Sequence, residues 1–372
     1  MTQRELADAA LVSYATVRGI ERGARMPSDD TLDALAAALG MDPSRLLADG
    51  GRTDGRVHLA LPALSAVIAS YDVPDDGPVR PLPDLHTAVT EAMTWRLGSQ
   101  YVVLATRGPD LVAELLRALH TATDGDRAEV AGLLVSALRS VDAAAYKHAR
   151  HDLSARLIEL MRWAAQWADD PLLAASNAYV RTEVFFAARS YRPGLRALEA
   201  ALDASPAPDP VPAVAARGAL HMRAAVIAGR AANPDAAALH LAEARQLGDQ
   251  VAEGIYQGTA FGPASVRIHE VSVAVSLGGD HVQQALKVGK SWAPPRDLPG
   301  ERRSGFYIEL GRAQLTAGLR DDAFESLKVA RRIAPQHTRE HPWAREDAAT
   351  LRRLKRADAE DLSNFAEWIG AV

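Results

Sequence analysis

The sequence predicts an all-α protein. Apolar residues make up 48% of its 372 residues, whereas aromatic residues make up only 5%. Most of the apolar residues are alanine and leucine, which favour closely packed helices over sheets. Apolar positions recur with the helical period along nearly the whole chain, and no segment shows sustained strand alternation. These three observations favour helices throughout the chain. The length of 372 residues favours one small domain and one larger domain.

The first two elements are short helices joined by a tight turn. Residues 3–10 carry the first helix, and Leu11 and Val12 form the turn. Ser13 is placed to cap the second helix, on which Val17 and Ile20 recur at helical spacing and are expected to face the core. The remaining residues of the second helix then face outward. This is the geometry of a helix-turn-helix, whose second helix can enter a DNA major groove.

The residues of this segment resemble a known family. The pattern Thr-Gln-x-Glu-Leu-Ala, followed by Val-Ser, Thr-Val and Ile-Glu-x-Gly, is similar to the lambda-repressor/Cro-type (Xre) helix-turn-helix family. The resemblance continues through Pro27-Ser28, Thr31-Leu32 and the run LDALAAALGMDPSRLL. It covers about 50 residues and departs from the family at two points. The sequence begins at what would be the family's second helix, so we expect either a start further upstream or a domain with one helix fewer. Leu11 stands where the family usually has a glycine, which takes positive φ without strain.

The resemblance implies DNA binding through the second helix. Base contacts are expected from Tyr14, Thr16 and Arg18, and phosphate contacts from Gln3, Arg22 and Arg25. Ser13 is expected to cap the helix and to touch a phosphate. The opposing reading is a vestigial domain used for protein contact. Residues 1–48 hold five arginines against seven acidic residues, and the whole chain has a net charge of −5. These charges argue against non-specific nucleic-acid binding by the whole protein.

Beyond this domain the sequence predicts a linker over residues 49–56 and a helical region over residues 57–372. The run LGRAQLTAGLRDDAFESLKVARRIAP (310–335) resembles a tetratricopeptide repeat, in which small residues let two helices approach closely. Weaker copies around Gly194, Ala237 and Ala285 are spaced more widely than the roughly 34 residues of a strict repeat. The region is therefore expected to be an irregular, tetratricopeptide-like α-solenoid.

The remaining candidate features have ordinary structural explanations. The pairs His148/His151 and His337/His341 each supply two imidazoles, fewer than a metal site needs, and are expected to be solvated. The arginines between Arg331 and Arg356 are expected on the solvated face of a terminal helix, with phosphate or acidic-partner binding as the alternative. A cluster of aromatic residues is expected to pack in the core, and the alternative is that it lines a concave ligand groove. The cluster consists of Trp163, Trp167, Tyr179, Phe185, Phe186 and Tyr191.

The sequence as a whole predicts a bacterial, cytoplasmic transcription regulator. No motif for a phosphate-binding loop, a dinucleotide fold or a catalytic nucleophile occurs, so neither an enzyme nor a cofactor is expected. There is no cysteine and no apolar run long enough to span a membrane. The expected partners are double-stranded DNA, a second copy of the chain, and a peptide or protein sensed by the solenoid. The alternative is a helical-repeat scaffold that does not bind DNA.

Overall fold

A computed structural model describes residues 2–22, 31, 34–35, 38–39, 52–354 and 359–371. The chain divides into two compact units, Met1–Gly55 and Arg56–Val372. The described residues are helical apart from one β-hairpin, one 3-10 turn and the connecting segments, which confirms the all-α prediction.

Two helices of the first unit are described over their full length, α1 (Gln3–Ala9) and α2 (Tyr14–Glu21), and the described residues 31, 34–35 and 38–39 are helical as well. Ala7 and Ala10 of the first helix region pack with Val17 of α2 and with Leu35, and all four are buried. Leu6 and Ile20 lie at the edge of this cluster. The apolar residues that the helical period placed on one face therefore do form a small core.

The second unit is a succession of helices interrupted by one hairpin. Its first half contains most of α3 (Arg52–Ala69), whose residues 52–55 belong to the first unit. It also contains α4 (Leu82–Leu97), α5 (Tyr101–Thr121), α6 (Asp124–Lys147), α7 (His151–Ala165), α8 (Pro171–Ala187), α9 (Tyr191–Ala204), α10 (Val211–Arg230) and α11 (Pro234–Gly248). The hairpin β1 (Gly254–Tyr256) and β2 (Thr259–Phe261) follows. The second half contains α12 (Pro263–Leu277), a 3-10 turn, α13 (Val282–Ser291), α14 (Gly300–Thr316), α15 (Arg320–Ile333), α16 (Pro335–Glu340), α17 (Pro342–Leu354) and α18 (Ala359–Ile369).

Helices of the second unit pack mainly on the next helix along the chain and on the one after it. The core accordingly falls into successive clusters rather than one centre: the first runs from Val57 to Val273, the second from Ile268 to Ala313, and the third from Ile308 to Ala371. Close helix approach is visible at Gly311. A Cβ there would lie 3.3 Å from the carbonyl oxygen of Ala323. Such sequential packing is typical of a helical-repeat region.

The structure differs from the sequence prediction at the end of the linker. Helix α3 begins at Arg52, so residues 52–56 of the predicted linker are helical. Helix α5 begins at Tyr101 and continues through Pro109, which lies inside the helix. Helix α6 extends to Lys147. Its buried face carries Arg139 and Asp142, which interrupt the apolar pattern.

The hairpin is the one element type that the sequence prediction missed. Its strands are three residues each, and Tyr256 pairs with Thr259 across a two-residue turn. Its base is fixed by the Glu253 carboxylate, which accepts hydrogen bonds from the amides of Ala264 and Ser265 at 2.8 and 2.9 Å. Strands this short give too little alternation for a periodicity argument to detect.

Within the described part of the chain, no helix has the length and apolar character that crossing a bilayer requires.

Candidate nucleic-acid interface

Helix α1 is fixed at its start by a capping box. The Thr2 side chain accepts a hydrogen bond from the Glu5 amide at 3.3 Å, and the Glu5 carboxylate accepts one from the Thr2 amide at 2.8 Å. Two of the free amides of the first turn are thereby satisfied. Next to this cap, the Gln3 side-chain amide donates to the carboxylate of Glu21 at the end of α2. The two ends of the motif are thus tied together by side chains.

The turn between the helices is unusual at Leu11. This residue has φ of +53°, in the left-handed region, and its side chain is 93% exposed. Its backbone amide donates to the carbonyl of Asp8, and the Val12 amide donates to the carbonyl of Ala7. The chain therefore keeps the turn that the family makes with glycine, although a side chain disfavours that conformation.

Helix α2 is capped as the sequence predicted. The Ser13 hydroxyl accepts a hydrogen bond from the Thr16 amide at 3.0 Å and lies 2.8 Å from the Thr16 hydroxyl. Val17, which is 2% exposed, anchors the opposite face of the helix in the core. The cap and the anchor together fix which face of α2 is directed outward.

Tyr14, Arg18 and Arg22 are exposed on that outward face, and Thr16 is half-buried. The guanidinium carbon of Arg4 lies 5.5 Å from the centre of the Tyr14 ring. Arg4 therefore adds positive charge beside the predicted contact residues, although the sequence analysis did not select it. The last predicted contact residue, Arg25, lies outside the described residues.

Of the four histidines predicted to be solvated, only His151 is exposed, and His341 is half-buried with its Nδ1 atom inaccessible to solvent. His148 and His337 are only 4% and 3% exposed, whereas His151 is exposed as expected. The His337 ring lies 2.7 Å from the Ser304 hydroxyl and 3.3 Å from the Lys147 ammonium group. Burial, reinforced by the charge of Lys147, lowers the pKa of His337 to about 3. In the described residues no group of three potential ligands is placed to bind a metal ion.

The C-terminal arginines differ in exposure. Arg332 and Arg353 are exposed, which agrees with the solvated face that was predicted. In contrast, Arg331 lies over the Trp368 ring at 4.2 Å, and Arg345 pairs with Glu340 at 2.5 Å. These two side chains therefore hold the terminal helices together.

The aromatic residues pack largely as the core interpretation predicted. Tyr179 is buried, and Trp163, Phe185, Phe186 and Tyr191 pack partly buried against the first core cluster, whereas Trp167 is 45% exposed. The unexpected feature is the charge around Tyr179. Arg223 lies 4.5 Å from the centre of its ring, and the Arg302 guanidinium donates to its hydroxyl at 2.6 Å.

Burial opposes ionisation of the Tyr179 hydroxyl. The neighbouring guanidiniums of Arg223 and Arg302 outweigh burial and lower the pKa of Tyr179 to about 8. A buried group of arginines thus lies inside the helical unit. Its only sequence signal was the break in the apolar pattern of α6 at Arg139.

The comparison with known families agrees with the geometry of the first unit. A family model described as Helix-turn-helix (HTH_3) matches residues 1–46. No curated protein and no solved structure matches the chain. The tetratricopeptide resemblance of the second unit stays a prediction. The match indicates a DNA-binding regulator, and the N-terminal segment is similar to the helix-turn-helix family.

Proposed function

We propose that the protein is a sequence-specific DNA-binding transcription regulator that reads DNA with helix α2. The observation that carries this proposal is the outward face of α2, where Tyr14, Arg18 and Arg22 are exposed in a segment that matches a helix-turn-helix family. Capping by Ser13 and burial of Val17 fix this face relative to the rest of the motif. A rigid helix with exposed arginines suits insertion into a major groove.

Each predicted contact residue has a separate role in this proposal. Arg18, in the middle of α2, reads a guanine edge with two hydrogen bonds, and Tyr14 and Thr16 contact neighbouring bases. Gln3, Arg22 and Arg25 contact phosphates, which fix the register of the helix without reading sequence. Ser13 caps the helix with its hydroxyl oxygen and can donate the hydroxyl proton to a phosphate.

The second unit supplies dimerisation, sensing of a peptide or protein partner, or both. In a dimer, two copies of α2 would occupy successive major grooves, one helical turn apart on a palindromic site. A ligand of the helical unit would alter DNA binding only if it bound the competent and incompetent arrangements with different affinities. The sequential packing of the second unit supports a helical-repeat region, which is an architecture suited to extended binding surfaces.

The second candidate is a helical scaffold that does not bind DNA. Acidic residues favour it, because Glu5, Asp8 and Glu21 are exposed on α1 and α2. Their negative charge opposes the approach of a phosphate backbone. In this alternative the helix-turn-helix makes protein contacts only.

Selection of bound duplexes from a random pool distinguishes the two candidates, with the salt concentration held fixed. The proposal predicts an enriched, two-fold symmetric site that is lost in Arg18→Ala. It also predicts that the site is retained in Arg192→Ala, which removes an exposed arginine of the second unit. Absence of enrichment with the full chain would favour the scaffold. An enriched asymmetric site bound by a monomer would retain DNA binding but remove dimerisation.

A further inference from the structure

The turn of the β-hairpin lies on two buried arginines from distant helices. Arg96 of α4 donates to the Gly258 carbonyl at 2.6 Å, and Arg139 of α6 donates to the Gln257 carbonyl. Both arginines are less than one-tenth exposed. A Cβ atom placed on Gly258 would lie 3.0 Å from Arg96 Nη2 and 3.3 Å from Arg139 Nη1. The two guanidiniums therefore converge on a single point at the hairpin turn.

The other partners of Arg139 are neutral as well. It donates to the Ser176 hydroxyl at 2.8 Å and to the Thr259 hydroxyl at 2.5 Å. In the part of the chain that the structure describes, neither Arg96 nor Arg139 forms an ion pair with a carboxylate. The Arg96 Nε group is buried without a hydrogen-bond partner. Two positive charges are thus buried with only neutral acceptors, an arrangement that costs free energy.

The carboxylates of this region are committed to other cations. Glu183 lies 3.5 Å from Arg223, and Glu301 lies 2.8 Å from Lys147. Burial, reinforced by the charge of Glu183, raises the pKa of Asp142 well above its usual range, which disfavours a negative charge on this group. At the turn itself, the Asp170 carboxylate accepts a 3.4 Å hydrogen bond from the side-chain amide of Gln257.

Burial and the neighbouring positive charge both disfavour the charged form of Arg139. Burial, reinforced by the charge of Arg96, lowers the pKa of Arg139 to about 9. A carboxylate or phosphate between the two guanidiniums would reverse this effect, because an anion favours the charged form. Paired guanidiniums are also the groups that recognise carboxylates and phosphates by several hydrogen bonds at once.

The hairpin turn is held in a conformation that its sequence does not favour. Gln257 and Gly258 have φ of +46° and +70°, as a two-residue turn of this kind requires at both positions. Glycine adopts such values freely, but glutamine does so at a cost. The docked turn is therefore an occupant that can be displaced more easily than an unstrained one.

We propose that Arg96 and Arg139 form an oxyanion-binding site, and that the carbonyl groups of Gln257 and Gly258 occupy it here in place of a carboxylate or phosphate group of a ligand. Binding of that ligand displaces the hairpin turn from the two arginines. The biological role of this ligand depends on the proposed sensing function of the helical unit. Its test uses no DNA, so its failure and the failure of DNA binding are separate results.

The test titrates the full-length protein with inorganic phosphate and with acetate at constant ionic strength, using calorimetry. We expect saturable binding to the wild type that weakens at least tenfold in Arg96→Gln and in Arg139→Gln. Arg217→Gln is the matched control, because Arg217 also donates to a carbonyl and a serine hydroxyl but lies elsewhere. It should bind within twofold of the wild type. Tighter binding of phosphate identifies a phosphate ligand, and tighter binding of acetate identifies a carboxylate.

Gly258→Ala provides a variant with the opposite expected sign. The added methyl group is disfavoured at this φ and crowds both guanidiniums, so the turn competes less well for the site. We expect at least threefold tighter anion binding than in the wild type. Hydrogen exchange of a peptide covering residues 252–262 should accelerate when phosphate is added to the wild type. This acceleration would not occur if the arginines served only to hold the hairpin.

Two results would overturn the proposal, provided that circular dichroism shows the variants to be folded and to unfold cooperatively. One is the absence of saturable binding in both the wild type and Gly258→Ala. The other is equal binding by Arg139→Gln and Arg217→Gln. If either arginine variant fails to fold, the comparison of Gly258→Ala with the wild type still decides the matter.

Discussion

Because the hairpin packs on α10, substitutions at Gly218 and Phe261 should be strongly coupled in their effects on the free energy of unfolding. Gly218 lies in the interior of α10, and Phe261 is fully buried against it. A Cβ on Gly218 would lie 1.9 Å from Phe261 Cζ, 2.4 Å from Cε2 and 2.6 Å from Cε1. Three ring atoms are involved, so a small ring rotation cannot relieve the overlap.

The magnitude follows from two opposing effects. Alanine in a helix interior is about 1 kcal/mol more favourable than glycine. Forcing a methyl group into a filled core costs about 1–3 kcal/mol or more. Because the methyl group overlaps three ring atoms, its cost lies in the upper part of this range, at about 2–3 kcal/mol. We therefore expect Gly218→Ala to destabilise the wild type by about 1–2 kcal/mol. Phe261→Ala alone should destabilise by about 3–5 kcal/mol, because it leaves a cavity.

The two changes together should not be additive. Once the ring is removed, Gly218→Ala gains helix propensity without a clash, so it should stabilise the Phe261→Ala protein by about 1 kcal/mol. The sign of the Gly218 effect thus reverses, with a coupling energy of about 2–3 kcal/mol.

Urea unfolding of all four proteins, followed by circular dichroism, measures this cycle. Gly132→Ala in α6 is the matched control, because the nearest atom to an added Cβ is a Leu173 methyl carbon 4.0 Å away. It should stabilise both backgrounds to the same extent. A Gly218→Ala effect of the same sign and size in both backgrounds would refute the argued contact between α10 and the hairpin.

Three further predictions concern the first unit and the buried histidine. Ser13→Ala should destabilise α2 by about 1 kcal/mol, which hydrogen exchange of the α2 amides would measure, whereas Ser13→Asp should restore the cap. Equal protection of these amides in the wild type and both variants would contradict the capping role of Ser13. Leu11→Gly should stabilise the same helix by about 0.5–1 kcal/mol, because removing the exposed side chain costs no contact and glycine adopts the positive φ without strain. Faster hydrogen exchange of the α2 amides in this variant would contradict the prediction. His337 stays neutral in the folded protein but is protonated below pH 6.5 when unfolded. Lowering the pH from 7 to 5 should therefore reduce the free energy of unfolding of the wild type, and the reduction should be about 2 kcal/mol smaller in His337→Gln. Parallel pH profiles of the two proteins in urea unfolding would refute a buried neutral histidine.

The helix-turn-helix was predictable because its chemistry is local. Capping by Ser13, core positions such as Val17 and the turn at Leu11 depend on neighbours within a few residues, and helical periodicity places them correctly. Leu11 was recognised as a departure from the family pattern. The structure adds that the chain keeps the glycine-like backbone conformation at this position.

The interior of the second unit was not predictable by the same reasoning. Arg96 and Arg139 are 43 residues apart in the sequence and meet at a hairpin more than 110 residues further along the chain. No local pattern reports such contacts, and a buried arginine resembles a solvated one in sequence. The same limit explains the wrong prediction for His337, because this ring is buried against residues as distant in the sequence as Lys147.

DNA recognition by α2 is tested by comparing the binding of Arg18→Ala and Arg22→Ala to the selected duplex and to an unrelated one, across a range of salt concentrations. If Arg18 reads a base, Arg18→Ala should lower the affinity for the selected site by roughly 10- to 100-fold and leave the affinity for the unrelated duplex nearly unchanged. Arg22→Ala should weaken both and reduce the salt dependence by about one phosphate contact. Equal binding of both duplexes by the wild type, or an unchanged preference in Arg18→Ala, would contradict recognition of DNA by α2.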